Sequence, residues 1–570
     1  MNAERLLAHF EQISEAPDAI ARLRRFILDL AVRGKLVEQN PEDEPADELF
    51  CRYLEKRIDL VSQGKIRRPK PSSPIRDEDL PINLPRGWTW ARFNEIGNLS
   101  GGMTPSMGRP DYWDGNIVWL SPKDIKSDEV SESELKLSEL GLSECRLELY
   151  PPGCLFIVAR SGILKRILPV SINRVPAAAN QDMKVLTPFV QGQERYLQIM
   201  LRGLTDFVLT SLVKTGTTVQ SLKYGEFAEQ PFPIPPLAEQ HRIVAKVDEL
   251  MALCDQLEAS RQQREQTRER LVAASLQRLN QPAEDPASFR QHAQFALQTL
   301  PSLTTTPAQI KQLRQTILNL AVRGKLVEQD PEDEPAEFSL PVVSRKNRGG
   351  IEHSAEITYC LPPGWTWRAV SAIAETVTDG EHATPKRISE PDVPLVTAKN
   401  VREGYMDYST TDWVSRETAL KAWSRCRPQV GDLLMVCVGA TTGRLTVLRE
   451  ARDMVLVRSV ALIRPSIIAD SDYLEHAIRS PVLQSQIWAS VKAAAQPCLY
   501  LNRINSLLIP LPPLAEQHRI VAKVDELMAL CDHLEQQLSQ ADQQRRRLLE
   551  AVLAEALAEP EPGLEGLVRA

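Results

Sequence analysis

Apolar residues fall at alternating steps of four and three along two stretches of the chain. Ile243, Val247, Leu250, Cys254 and Leu257 make the first seam, before Arg261, Arg264 and Arg268 interrupt it. Ile520, Val524, Leu527, Cys531, Leu534, Leu538, Ala541, Leu548 and Val552 make the second, weakened at Arg545. This spacing lays one narrow apolar stripe along a helix. It predicts two helices of about 40 residues, about 60 Å long at 1.5 Å per residue, that pack on each other. Pro235-Pro236 and Pro512-Pro513 mark their entries, because the first helical amides need no internal acceptor, and Glu239 sits in the electropositive first turn.

The two seams are copies. Pro235 to Asp255 recurs letter for letter as Pro512 to Asp532, and Ile27 to Gln39 returns as Ile317 to Gln329 with one change, Asp29 to Asn319. The second pair predicts short amphipathic helices over Ala19 to Lys35 and Gln309 to Lys325, ending near Gly34 and Gly324. The order is therefore short helix, insert, long helix, given twice. Two like units in one chain can pair about a pseudo-two-fold axis, with antiparallel long helices and inserts at opposite ends; a head-to-tail stack is the competing geometry. Asn280 to Pro307, rich in Gln, Pro, Ser and Thr, reads as the connector. The first unit also carries a longer linker, Asp47 to Pro81, with a basic run from Lys65 to Lys70 that the second lacks.

Each insert opens alike, Leu84-Pro85-Arg86-Gly87-Trp88-Thr89-Trp90 and Leu361-Pro362-Pro363-Gly364-Trp365-Thr366-Trp367, and then diverges. The tryptophans read as core. Short β-like runs, Gly153 to Val158 and Gly431 to Val438, alternate with helical stretches near Arg195 to Leu212 and Asp472 to Val491. The fold class is α/β: two α/β domains on a frame of two long antiparallel helices, with a pseudo-two-fold internal repeat. The boundaries follow as 1–84 for the N-terminal helix and linker, 85–235 for the first insert, and 236–280 for the central long helix. Beyond it come a connector at 281–360, the second insert at 361–512 and the last long helix at 513–570.

Charged residues at 25% and the absence of a long apolar run describe a soluble protein with no membrane role, and the polar start from Met1 to Arg5 points to the cytoplasm. Nine cysteines never fall as Cys-x-x-Cys, and with eight histidines neither a disulfide framework nor a zinc site is indicated. A net charge of -7 argues against a uniformly basic surface. Distribution changes that picture: Ile157 to Lys223 holds nine Lys or Arg against three acids, and Arg416 to Arg464 nine against four.

No Gly-x-x-x-x-Gly-Lys-Ser/Thr is present, so the chain does not drive ATP-dependent motion, and no Asn/Asp-Pro-Pro-Tyr/Phe marks an adenine methyltransferase site. Pro110-Asp111 with Glu134-Leu135-Lys136 matches a loose metal-nuclease pattern. The pattern is permissive, it lacks a counterpart in the second insert, and it lies in an acidic run. Polar positions in the inserts fit nucleic acid better, since glycines admit a close backbone, Lys and hydroxyls bind phosphate, and Arg or Gln read base edges. The candidates in the first insert are Thr104, Ser106, Arg109, Tyr112, Ser121, Lys123, Arg160, Ser161, Gln181, Lys214, Thr217, Thr218 and Gln220. In the second they are His382, Thr384, Lys386, Lys399, Asn400, Arg402, Thr441, Thr442, Arg444, Arg458, Ser459 and Gln496.

Taken with Pro-Pro-Leu-Ala-Glu-Gln-His-Arg-Ile-Val at Pro235 and Pro512, the chain closely resembles the specificity subunit of type I restriction-modification systems over nearly its whole length. Gly102-Met103-Thr104-Pro105, Trp119-Leu120 and Gly216-Thr217-Thr218 are similar to motifs of that family's first target recognition domain, and Gly439 to Gly443 to motifs of its second. The resemblance implies a non-catalytic subunit that binds double-stranded DNA and reads an asymmetric bipartite target. It implies docking of two modification subunits, which carry S-adenosylmethionine and methylate adenine, and of restriction subunits that use ATP and magnesium. No cofactor is then expected on this chain. Two other readings stand beside it: a coiled-coil scaffold for two protein ligands, against which the basic segments count, and the metal nuclease.

Overall fold

The computed structural model describes residues 14–68, 75, 80, 82–216, 219–281, 286–336, 359–383, 385–491 and 497–557. Two compact units share the chain, one of residues 1–262 with 542–570 and one of residues 263–541.

In the first unit a short helix, Ala19–Val32, buries Ile20, Phe26, Ile27, Leu30 and Ala31. It stops because Gly34 takes a positive φ of 64°, a conformation that a side chain disfavours. The glycine has a second use. A Cβ there would stand 2.3 Å from Pro85 Cγ, so only glycine lets the Leu84-Pro85 segment cross the helix end. Trp88 follows it into the core and donates its indole N–H to Glu239 of the long helix at 3.1 Å. Gln39 donates to Gly34 O at 2.7 Å and to Glu239 at 3.3 Å, and Arg242 pairs with Asp43 at 2.6 Å. The second unit repeats every contact. Gly324 has φ 63° and lies under Pro362, Trp365 and Gln329 both donate to Glu516, and Arg519 pairs with Asp333. The repeated words in the sequence are thus one packing node, built twice.

Each insert is closed by a two-stranded antiparallel pair at its ends, Thr89–Arg92 with Pro231–Ile234 and Thr366–Ala369 with Leu508–Leu511. Inside the first, Met183–Pro188 lies between Gly97–Gly101 and Leu155–Val158 in a five-stranded sheet. A smaller sheet pairs Ile117–Leu120 in parallel with Ala177–Ala179. The second insert keeps this plan: Val460–Pro465 lies between Ala374–Asp379 and Leu433–Val436, and Val393–Val396 pairs in parallel with Val455–Leu456. The mixed α/β class expected from the short apolar runs is the observed one.

The long helices span Leu237–Asn280 and Leu514–Leu557, 44 residues each, about 66 Å at 1.5 Å per residue. Their directions follow from contacts within each unit. In the first, Arg24 reaches Asp255 and Glu258 while Gln39 reaches Glu239, so the first long helix runs against the short helix. Arg22 pairs with Glu550 and Lys35 donates to Leu557 O, so the end of the second runs with it. In the second unit the roles exchange: Thr305 bonds Glu265 and Arg323 bonds Asn280 O, whereas Arg314 pairs with Glu535 and Gln329 with Glu516. Within each unit the two long-helix segments are therefore antiparallel, as the repeat order predicts.

Three expectations need correction. The seams find their partners chiefly in the short helices and inserts: Ile243, Val247 and Cys254 cluster with Ile27, Tyr196 and Leu197, and Ile520, Val524 and Cys531 with Ile317, Tyr473 and Leu474. Leu549 packs on Ala16 and Ala19, and Val272, Leu276 and Leu279 on Ala296 and Leu300. The connector holds an 18-residue helix, Pro286–Leu303, whose Phe289, Ala293, Ala296 and Leu300 form an apolar face that its polar composition conceals. The first linker likewise contains a helix, Ala46–Ser62, anchored by buried Leu49 and by Tyr53, whose hydroxyl bonds Gln193. Of the basic run, Pro69 and Lys70 lie outside the described residues.

Candidate nucleic-acid interface

Four loops of the first insert converge beside the strand Met183–Pro188. Asn180 N donates to Leu120 O at 2.8 Å, and its amide donates to Thr104 Oγ1 at 3.1 Å. Met103 N donates to Ala179 O, and Ala159 N and Arg160 N both donate to Asp182 O. A small sheet then sets Arg160 opposite Ser221, Ser161 opposite Gln220, and Lys214 opposite Ser221 on the far side. Backbone bonds thus gather Thr104, Ser121, Arg160, Ser161, Gln181 and Lys214 onto one region.

The second insert assembles the same region with other side chains. Glu381 N donates to Leu456 O, Val457 N to Val396 O and Cys437 N to Ser459 O, while Val438 bridges Cys498. The turn that carries Lys123 is closed by Asp124, which accepts from Ser121 N and Oγ; its counterpart, carrying Lys399, is closed by Asn400, which accepts from Thr397 N and Oγ1. Sequence divergence between the inserts leaves the backbone pattern in place.

Electrostatically the two regions differ from their basic counts. Arg174, Arg195 and Arg202 are held by Glu129 and Asp128, and Lys184, whose ammonium burial pushes below its usual range, lies 4.4 Å from the Tyr224 ring. Lys123, Arg160, Lys165, Arg166 and Lys214 engage no carboxylate among the described residues. In the second insert Arg416, Lys421, Arg425, Arg427, Arg449 and Arg464 are all paired with acids, which among the described residues leaves Arg444, Arg458 and Arg452, the last over the Tyr408 ring, with Lys386 further upstream. The free positive charge is therefore smaller than the residue count, and concentrated at the loops. Among the described residues no group of three or more His, Cys, Asp or Glu is placed to hold a metal ion.

A family model described as the type I restriction modification DNA specificity domain matches residues 85–265 and 388–541. The chain belongs to this family. It is 29% identical to the EcoEI specificity subunit of Escherichia coli and 27% identical to the EcoAI specificity subunit of the same organism, each over 94% of both chains. Among solved structures it is similar to one from a study of type I restriction-modification complex assembly, at a TM-score of 0.48, 18% identity, 84% of this chain and 99% of that one. A second is the HsdS subunit of Thermoanaerobacter tengcongensis, at 0.44, 19%, 84% and 98%. The family's members are recognition components of restriction-modification complexes rather than catalysts, and DNA and the other subunits of such a complex are what this one serves. No helix among the described residues is long and apolar enough to cross a membrane.

Several candidates have structural duties instead. Tyr112 is buried with its hydroxyl on Glu144, and Arg109 is spent on Asp111 at 2.6 Å and on the Tyr112 ring. That same pair occupies the carboxylate of the nuclease-like pattern, while Lys136 pairs with Glu132. Gln220 is buried and bonds Gly216 O, Asn400 is buried inside its turn, and Thr442 closes a turn on Gly439 O. Arg402 pairs with Asp407, and His382 with Asp379 beside Arg425. Thr441, Thr442 and Arg444 line a cleft of about 660 Å³ against the short helix, with Lys311, Arg314 and Trp488. Thr217, Thr218, Thr384 and Gln496 lie outside the described residues. Exposed Ser106, Lys123, Arg160, Gln181, Lys214, Lys386, Lys399 and Arg458, with half-buried Thr104, Ser121, Ser161 and Ser459, keep surface to offer a ligand. The sequence candidates leave out exposed Lys165 and Arg166, whose signal is a pair of adjacent cations shortly after Arg160-Ser161-Gly162.

Proposed function

We propose that the inserts, residues 85–235 and 361–512, are two target recognition domains, each reading one half of an asymmetric bipartite DNA sequence. The carrying observation is that one backbone arrangement occurs in both inserts with different exposed side chains, Gln181 and Arg160 in one and Arg458 and Lys386 in the other. A shared frame fixes where side chains stand; unlike side chains read unlike bases, because each base pair shows its own donor and acceptor pattern in the major groove. The long helices act as a ruler that holds the half-sites about one helical turn, roughly 34 Å, apart.

Helix surfaces outside the buried seams are the docking sites for two modification subunits, which bring S-adenosylmethionine, and the restriction subunits bring ATP and magnesium chemistry. The work is done in the cytoplasm. The test is to express the chain with its modification partner and map N6-methyladenine across a host genome, with and without the chain. One motif of two unlike half-sites around a fixed gap, dependent on the chain, supports the reading; methylation that ignores the chain overturns it.

A further inference from the structure

Gln181 and Arg458 stand 277 positions apart, the interval that separates Trp88 from Trp365 and Glu239 from Glu516. Each occupies the corner of a tight turn. Met183 N donates to Asn180 O at 3.1 Å, and Val460 N to Val457 O at 2.9 Å. The two turns join the same elements: a strand in parallel pairing, Ala177–Ala179 or Val455–Leu456, runs through the turn into a strand flanked on both sides, Met183–Pro188 or Val460–Pro465. Both are tied from outside, at Asp182 O by Ala159 N and Arg160 N and at Ser459 O by Cys437 N. Asp182 N also donates to Asn180 Oδ1 at 2.6 Å.

A side chain at such a corner is held rigidly at its Cα and left free at its tip. Gln181 and Arg458 are exposed and make no side-chain hydrogen bond or ion pair among the described residues. Their neighbours are largely spent: Asn180 bonds Thr104 and Asn400 its own turn, while Arg425 and His382 are held by Asp379. Unengaged cations flank the first seat, Arg160 on the adjoining strand and Lys123 on the turn after Leu120. Glutamine and arginine are also the two residue types whose planar termini make paired bonds to one base, glutamine to the N6 and N7 of adenine and arginine to the O6 and N7 of guanine.

We infer that Gln181 and Arg458 are equivalent specificity-determining residues, Gln181 contacting an adenine in one half-site and Arg458 a guanine in the other. The inference rests on the recognition-domain reading above. Its test uses the full chain assembled with its modification partner, and maps N6-methyladenine for the unaltered complex and for Gln181→Ala and Arg458→Ala. Gln181→Ala is expected to relax one adenine position in one half-site, lowering discrimination there about 5- to 150-fold, and to leave the other half-site unchanged. Arg458→Ala does the converse at a guanine. Both side chains are solvent-exposed, so melting temperatures should stay at that of the unaltered chain. Relaxation at a single position in the assigned half supports the inference. An intact motif at every position, or uniform loss from both halves with an unchanged melting temperature, overturns it. An unaltered complex with no bipartite motif would instead sink the underlying reading.

Discussion

The indole nitrogen of Trp88 lies 3.1 Å from Glu239 Oε2, inside the core, and the bond joins the start of the first insert to the first turn of the long helix. Gln39 completes the acceptor's shell, and burial pushes the Glu239 carboxyl above the usual carboxylate range against the pull of Gln39 and Trp88. Glu239→Ala leaves the buried Trp88 N–H without its acceptor and the Gln39 amide with Gly34 O alone, which costs about 1–3 kcal/mol. Chemical denaturation of the full chain should show that loss, and Glu516→Ala should show a similar one.

The same carboxyl makes stability depend on pH in an unusual direction. Its folded-state pKa is raised above the ordinary 4.5, so the folded chain holds the proton longer than the unfolded one. Its contribution is full below that ordinary value and is lost as pH rises through the folded pKa. Glu239→Gln removes this carboxyl's share and leaves that of Glu516, which burial raises in the same way; an unchanged pH profile in the variant would show that the Glu239 carboxyl contributes none.

Gly34 and Gly324 combine a positive φ with a neighbour 2.3 Å from the Cβ they lack. Alanine at either position strains the backbone and displaces Pro85 or Pro362, so each substitution should lower stability by at least about 1 kcal/mol. Thermal melting of the two single variants should give shifts of like size.

His476 breaks the equivalence of the units, for Ile199 stands where the repeat interval places its counterpart. The ring is buried, with Nε2 3.2 Å from Asp525. Burial pushes its pKa below the ordinary 6.5, while Asp525 opposes that and Arg479 adds to it. A lowered histidine pKa means that the unfolded chain takes up the proton first. The stability it confers is complete above about pH 6.5 and falls as the solution is acidified below that value. Melting between pH 7.5 and 5.5 should show acid loss in the unaltered chain and less in His476→Gln.

Lys123 and Lys399 sit on equivalent turns, but Lys399 shares Asp412 at 3.1 Å whereas Lys123 has no acidic partner among the described residues. If both face phosphate, Lys123→Ala should reduce the salt slope of duplex affinity by about 0.9, and Lys399→Ala by less. Titration of the assembled complex with duplex DNA at several salt concentrations separates the two.

The sequence displays its duplicated frame openly, because the residues of the packing node, Gly34, Gln39, Trp88 and Glu239, meet one another in both copies and recur there as words. The helix Pro286–Leu303 was hidden because its face uses alanines among glutamines, and the seams' true partners were hidden because a heptad stripe does not name what covers it. At the site, residue type identified the loops, but only the side-chain bonds distinguish Gln181, which has none among the described residues, from Gln220 and Asn400, whose amides are consumed by their own turns.

If the two inserts read DNA independently on one frame, exchanging one of them should change one half of the target alone. Residues 85–235 are replaced by the corresponding segment of the Escherichia coli EcoEI specificity subunit, which is 29% identical over 94% of both chains. The chimera is assembled with the modification partner, and its N6-methyladenine motif is mapped. The chimera should methylate a target with a new sequence in one half-site, the other half and the gap between them unchanged. A motif altered in both halves, or in neither, would contradict independent reading.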